Sequence, residues 1–330
     1  CQALIRQVDR LQIPVRQRCN AVRLLTVEEG AVRRAAGVVL LNEHGQLEAI
    51  CAENVVFAVG GPGGLYRTSV YPAVHTGSIG LALLAGATAQ NLPESQYGLA
   101  STVFRINFPG SYMQVIPPFI TPPADGRSQR REFLRDYFPD DGQLCSMVFL
   151  KGYQWPFDAR KVVGGSSLID ILVYIETEQR GRRVFLDFRR NPTGFDWESL
   201  SPEARDYLAR SGATQASPIE RLRHMNPGAV ELYAEHGIDI SAEPLEIAVC
   251  AQHNNGGLAA NCWWESVNVK HLFPVGEVNG SHGVYRPGGA ALNAGQVGGF
   301  RAAEFIAHRY AGWTLQRDAA RQAAVAASEE

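Results

Sequence analysis

No Gly-x-Gly-x-x-Gly run and no Gly-x-x-x-x-Gly-Lys-Ser/Thr run occurs anywhere in the 330 residues. Their absence excludes the usual opening of a dinucleotide fold and the phosphate loop of nucleotide hydrolases. Surplus charge is missing too: 31 Lys and Arg stand against 33 Asp and Glu, for a net charge of -2. That leaves nothing to coat nucleic acid or an anionic membrane. The most apolar stretch, residues 79–89, is far shorter than the ~20 residues of a membrane span. No basic segment leads into an apolar run near the start, so no secretory signal is visible. The six cysteines (Cys1, Cys19, Cys51, Cys145, Cys250, Cys262) form no Cys-x-x-Cys pair and no Cys/His ligand spacing. This argues against metal sites and fits a reducing, cytoplasmic compartment.

What the sequence has in excess is glycine. The 33 glycines make up a tenth of the chain, above the usual ~7%, and they cluster where backbone would come close to a ligand. The chain starts at Cys1, inside a segment (residues 2–10) that reads as the end of a helix with Leu4, Ile5 and Val8 on one face. We read it as a fragment or a processed chain.

Residues 21–27, 35–41 and 47–51 read as a three-stranded meander punctuated by Gly30 and Gly45. The run 54–59 is continuously apolar, as expected of a strand buried on both faces, and Gly60-Gly61 ends it. Thr76 to Ala89 has helical spacing after a Thr-Gly-Ser start. From about 105 to 241 prolines and charges concentrate, marking an inserted cap that is mainly helical. Within it, Ser166-Ser167 opens a helical stripe that stops at Gly181, and 184–188 reads as a strand. Ser201-Pro202 and Ser217-Pro218 announce helix starts, the second with a capping box to Glu220, and Gly212 and Gly237 mark the ends. Buried strands return at 245–249 and 272–277, and a glycine-rich loop enters a helix from about Ala290 to Tyr310. The expected division is 1–104 and 242–312 for one domain, 105–241 for the cap and 313–330 for a helical tail.

Three clusters follow the ends of expected strands: Ala58 to Gly61, Gln252 to Gly257, and Gly276-Glu277 through Arg286 to Asn293. In open α/β sheets ligands bind beyond the carboxyl ends of strands. In the last helix Ala291, Gly295 and Gly299 recur every four residues, with Gly298 besides. Each interior glycine costs about 1 kcal/mol relative to Ala, so a slim face is required there. Tight helix–sheet packing is one reason. The other is a helix N-terminus offering N–H groups and partial positive charge to an anionic ligand atom, with Arg286 adding a full charge.

These residues resemble a known family, the flavoproteins of fumarate reductase, succinate dehydrogenase and aspartate oxidase. Val55-Val56-Phe57-Ala58-Val59-Gly60-Gly61 is similar to its "Ala-Thr-Gly-Gly" strand, and Thr76-Gly77-Ser78-Ile79-Gly80 to its "Thr-Gly-Asp-Gly" helix start. Residues 92–98, with Glu94-Ser95-Gln96-Tyr97, resemble the segment that follows. Leu272 to Glu277 resembles "Leu-Phe-Ala-Val-Gly-Glu", and His282 to Leu292 resembles "His-Gly-Ala-Asn-Arg-Leu-Gly-Ser-Asn-Ser-Leu". The resemblance implies a three-layer α/β FAD-binding domain, incomplete at its front, with an inserted α+β capping domain. It implies FAD contacts at Ala58, Gly60, Gly61, Ser78, Gly276, Glu277, Ala291 and Leu292. Arg286 would grip a substrate carboxylate.

Departures bear on the substrate. The family's carboxylate-binding histidine falls on Gln252, the histidine of its "Gln-Phe-His-Pro" segment on Gly98, its acidic helix-start residue is Ser78, and its proton-donating cap arginine falls near Ser167. What remains for chemistry is Arg286, His282, His253 and Tyr285, with Gln252, Asn254 and Asn255 on the substrate side and Tyr153 or Arg160 as cap donors. The expected activity is flavin-dependent hydride transfer on a small organic acid or enone. Electrons would come from a partner protein or domain, because nothing here binds nicotinamide. A different class of reading is a non-catalytic fragment for binding or assembly, whose FAD affinity collapses without the missing opening segment. A third is a sugar- or acid-binding α/β domain without redox activity.

Overall fold

The computed structural model describes residues 2–72, 75, 77–123, 130–315 and 317–329. Strands Asn20–Glu29, Val32–Leu41 and Leu47–Cys51 form the antiparallel meander, turning at Gly30 and Gly45, both with left-handed φ. The C-terminal helix Arg317–Glu329 lies on it, where Leu25, Val27, Ala36 and Val39 pack with Ala320.

Beyond the meander, strand Val55–Phe57 pairs in parallel with strand Leu272–Pro274. Among the described residues the parallel sheet consists of these two strands. The expectation of a strand buried on both faces is corrected: Phe57 is buried, but Val56 is half exposed because no described element covers its face. The expected helix at 76–89 shrinks to Ile79–Leu84. Thr76 lies outside the described residues, and Ala89–Gln90 pairs as a strand with Gly257–Leu258.

A second sheet carries the cap. Strand Ser95–Ser101 runs antiparallel to the long strand Leu245–Asn254, which also pairs with Val184–Leu186, itself paired with Phe119–Ile120. The long strand reaches Asn254, so Gln252, His253 and Asn254 sit within it, at a register shift between Ala251 and His253. They continue the strand expected at 245–249 and do not follow its end.

The cap's core joins Leu99, Leu245 and Ile247 of this sheet to cap residues such as Tyr112, Phe149, Leu172 and Tyr233. Its helices start where the serine–proline pairs place them, at Pro202 and Pro218, and the Ser217–Glu220 capping box forms. The stretch between Ser217 and Gly237 is two helices, Pro218–Met225 and Pro227–Glu235. Pro227 has no N–H to continue the first and fits the first position of the second.

The helix Ala290–Arg309 starts after Gly289, whose φ of +79 is left-handed. The slim face proves to be one residue wide. A Cβ on Gly298 would lie 2.6 Å from the Trp264 ring nitrogen, whereas on Gly295 or Gly299 it would meet its nearest atom at 3.9 Å, an ordinary contact. Close packing therefore accounts for Gly298 and leaves Gly295 and Gly299 without a steric reason.

Among the described residues no helix is long and apolar enough to cross a membrane, and no group of three or more His, Cys, Asp or Glu could hold a metal ion.

Candidate functional site

The parallel strand pair aims the loops at Val59–Gly61 and Val275–Glu277 the same way, and the start of the 290–309 helix packs beside the second loop. Here the chain concentrates buried polar groups that hydrophobic packing does not explain. Glu277 is at the centre. Tyr71 Oη donates to Glu277 Oε1, the Asn254 main-chain N–H donates to the same oxygen at 2.7 Å, and Asn254 Nδ2 donates to Tyr71 Oη at 3.0 Å. Burial pushes the Glu277 carboxyl up, opposed by these donors and by the Arg286 charge. Gly61 has to be glycine, because a Cβ there would fall 2.4 Å from Glu277 Oε1 and 2.9 Å from Tyr71 Oη.

His253 lies beside the carboxylate, its Nε2 4.0 Å from Glu277 Oε1, and the His282 ring meets the His253 ring edge to face at 4.7 Å between centroids. Their neighbours set their tautomers. Asn255 Nδ2 donates to the Val284 carbonyl, which leaves Asn255 Oδ1 as acceptor for His253 Nδ1 at 2.9 Å. His282 Nδ1 faces the Asn279 carbonyl at 3.1 Å. Both Nδ1 atoms therefore carry the proton, and both Nε2 atoms are lone-pair acceptors. His253 Nε2 and His282 Nε2 are buried with no hydrogen-bond partner, as are His75 Nδ1 and Gln252 Oε1. Burial first, then the Arg286 charge, holds the His253 pKa down at about 3. Burial likewise lowers that of His282. At neutral pH both rings are neutral.

Arg286 is buried, and its plane is fixed: Nε donates to Gln96 Oε1 at 2.7 Å, Gln96 Nε2 returns a bond to the Arg286 carbonyl at 2.8 Å, and Nη1 reaches the Pro287 carbonyl at 3.0 Å. Burial lowers its pKa, countered by the Glu277 charge. Gln252 takes the room that a side chain at position 98 would need. A Cβ on Gly98 would lie 2.7 Å from the Gln252 amide, which donates to the Leu99 carbonyl at 3.2 Å.

The structure thus brings together Gly60, Gly61, Gln252, His253, Asn254, Asn255, Gly276, Glu277, His282 and Arg286. Of the remaining expected residues, Ala58, Ser78 and Leu292 are exposed and Ala291 is partly so. Tyr285 is 43% exposed and carries the Arg160 guanidinium 4.7 Å above its ring, with Arg160 held bidentate by Asp158. Arg160 is therefore the cap cation that meets the Arg286 loop, whereas Tyr153 packs on Phe149 and Tyr207 within the cap. Tyr71 and Gln96 were not foreseen as site residues. Neither carried a signal in the sequence, since the partner of Tyr71 lies 206 residues away and that of Gln96 lies 190 residues away.

Whether this cluster suits a flavin cofactor can be tested on its own atoms. The buried, unpartnered acceptors His253 Nε2, His282 Nε2 and Gln252 Oε1, beside the half-buried Glu277 carboxylate, call for a ligand rich in O–H or N–H donors, as a polyol chain is. Gly276 and Gly289 both have left-handed φ of +79 and open space where a Cβ would project, so backbone there is accessible to a planar ring. The first turn of a helix adds N–H groups without intrahelical partners. The residues present fit the isoalloxazine and ribityl end of FAD. No pyrophosphate cradle of the Gly-x-Gly-x-x-Gly type is in the sequence.

Comparison with known proteins agrees with this. Residues 1–110 match the model of an FAD binding domain family. The chain is 28% identical over 287 residues to a fumarate reductase (CoM/CoB) subunit from Methanothermobacter marburgensis, covering 84% of this chain and 43% of that protein. It is 25% identical over 321 residues to an L-aspartate oxidase of Streptomyces coelicolor, covering 95% and 47%. Among solved structures, a quinol–fumarate reductase with menaquinol molecules superposes with a TM-score of 0.62 at 23% identity, over 94% of this chain and 48% of that one. The open form of a flavocytochrome c3 fumarate reductase gives 0.52 at 18%, over 98% and 55%. The fold is thus that of fumarate reductase flavoproteins, and the chain spans about half the length of the relatives it matches.

Proposed function

From a chain that is a homologue, over most of its length, of the fumarate reductase and aspartate oxidase flavoproteins, we propose that it builds the flavin end of an FAD site in an oxidoreductase acting on a small organic acid or enone. The observation that carries this is the set of orphaned buried acceptors around Glu277, at the ends of two parallel strands and beside the start of a helix. Bound there, FAD supplies a hydride acceptor and donor. Everything else falls to the chain. Glu277, fixed by Tyr71 and Asn254, accepts hydrogen bonds from ribityl hydroxyls. His253 and His282, kept neutral, accept further ones and exclude water. The start of the 290–309 helix, with N–H groups and its positive dipole end, favours negative charge on the ring.

Substrate recognition is pared down relative to a dicarboxylate site. Gln252, which is neutral, stands where the resemblance puts the family's carboxylate-binding histidine, and Gly98 stands where it puts a second histidine. Arg286, oriented by Gln96, is left as the single buried cation of the cluster among the described residues, which suits a substrate with one carboxylate or one polarised carbonyl. Arg160, reaching from the cap to the Tyr285 ring, is the candidate proton donor at the mouth. Electrons come from a partner protein, in keeping with a relative whose name marks it as one component of a larger assembly.

A second reading has its own observation. On the 290–309 helix Leu292, Val297 and Phe300 are 78%, 50% and 66% exposed, and Val56 of the parallel strand pair is half exposed. Such a face favours a chain that keeps FAD only with a further segment or partner chain upon it. Gel filtration of the purified chain with excess FAD separates the two. Flavin absorbance that comigrates with the protein, and is lost in Glu277→Leu, supports a site within this chain. A colourless chain supports the second reading.

A further inference from the structure

Away from Glu277, on the side of the second sheet that faces the cap, lies a cavity of about 530 Å³. Neighbouring residues of a strand point to opposite faces, so Tyr97 lines this cavity while Gly98 turns to Gln252. Its walls are aromatic and aliphatic. Tyr66, Tyr97, Phe157 and Tyr174 stand around it, with Ile171 of the cap helix Ser167–Tyr174 and Val249 of the long strand. These walls are fixed from behind: Tyr66 Oη shares a hydrogen bond with Ser95 Oγ at 2.7 Å, and the Phe157 main-chain N–H donates to the Tyr97 carbonyl at 2.8 Å, tying cap to sheet.

The charged residues of the lining are already paired. Asp170 is 2% exposed and holds the Lys151 ammonium, and at the rim Glu178 holds Arg67 at 2.6 Å. A charged ligand would give up hydration here and find no free ion of opposite sign. The tyrosines offer shape instead. Tyr66 and Tyr97 meet at 84° with their centroids 5.6 Å apart. A flat ring laid parallel to one is therefore perpendicular to the other, and both offset stacking and edge-to-face contact are favoured between aromatic rings. A saturated ring of the same outline is buried equally well but gains neither contact. Tyr174, 48% exposed at the mouth, leaves apolar surface for such a ring to cover. The volume lies in the range of small-molecule sites. We infer that this cavity is a second binding site, separate from the flavin cluster, for an uncharged, planar, fused-ring compound held among Tyr66, Tyr97, Phe157 and Tyr174.

The test is calorimetric titration of the whole chain with four probes of similar outline: naphthalenemethanol, its saturated counterpart decalinmethanol, naphthoate and naphthylmethylamine. Naphthalenemethanol is expected to bind about fivefold more tightly than decalinmethanol, the scale of aromatic contacts beyond burial, and at least about tenfold more tightly than the anion or the ammonium, which meet no free partner. Ile171→Trp, which places a large ring in the cavity from a partly exposed helix position, is expected to abolish binding. Tyr174→Ala, at the half-exposed wall, serves as the second variant and is expected to weaken naphthalenemethanol about fivefold. Saturating FAD is expected to leave that affinity unchanged, whatever becomes of the flavin reading. Equal binding of the four probes, binding of none, preference for either charged probe, indifference to Tyr174→Ala, or competition by FAD would each overturn the inference.

Discussion

Acidification should destabilise this protein through His253. The ring is 5% exposed, its Nε2 has no partner, and burial together with Arg286 holds its pKa at about 3 against an ordinary 6.5. In the unfolded chain it titrates normally. The folded value is the lower one, so the stabilising effect of the neutral ring is present above pH 6.5 and is lost as pH falls from about 6.5 towards about 3. Between pH 7 and pH 5 the unfolded state gains about three-quarters of a proton at this position that the folded state refuses, worth about 2 kcal/mol. The assay is urea unfolding at both pH values for wild type and His253→Gln, whose amide does not titrate. His271, held down at about 4 by burial and Arg34, is present in both proteins and cancels. The wild type should lose about 2 kcal/mol more than the variant over that interval. Equal losses would refute the claim that this ring is buried, neutral and beside a fixed cation.

Other outcomes follow from the same structure. Gly298→Ala should destabilise the chain by about 1–3 kcal/mol through its clash with Trp264, while Gly295→Ala should be neutral or stabilise by up to about 1 kcal/mol; chemical denaturation of the pair tests which glycine packing demands. Lys151→Met should cost about 3–5 kcal/mol by stranding Asp170, and Lys151→Met with Asp170→Leu should recover most of it, read from the same unfolding curves. Ser217→Ala should lose about 1 kcal/mol by opening the capping box, with thermal melts as the check.

How much of this could be read along the chain depends on how local its cause is. The start of the 290–309 helix was legible because Pro287 and Gly289 punctuate it, and the cap helices because serine, proline and glutamate stand at fixed offsets. The break at Pro227 was in plain view, yet helical periodicity on both sides masked it. The long strand was cut short for an instructive reason. Gln252, His253 and Asn254 look like a polar loop, but they are buried strand residues facing a site, where the usual link between polarity and exposure fails. Tyr71 and Gln96 were invisible because what makes them functional is a partner about two hundred residues away, Glu277 for one and Arg286 for the other. The departures at Gly98 and Gln252 were legible one at a time. That one fills the space left by the other emerged only from their packing.

The central claim, that this chain builds the flavin end of a dinucleotide site and not its phosphate end, is tested most directly by fluorescence anisotropy of riboflavin and FAD titrated with the chain. Riboflavin has the ring and the ribityl hydroxyls and lacks the pyrophosphate and adenosine. Saturable binding of both is predicted, with dissociation constants within about threefold, less than about 1 kcal/mol, and with both weakened in Glu277→Leu. Tight binding of FAD with none of riboflavin, or the absence of binding by either, would contradict the account.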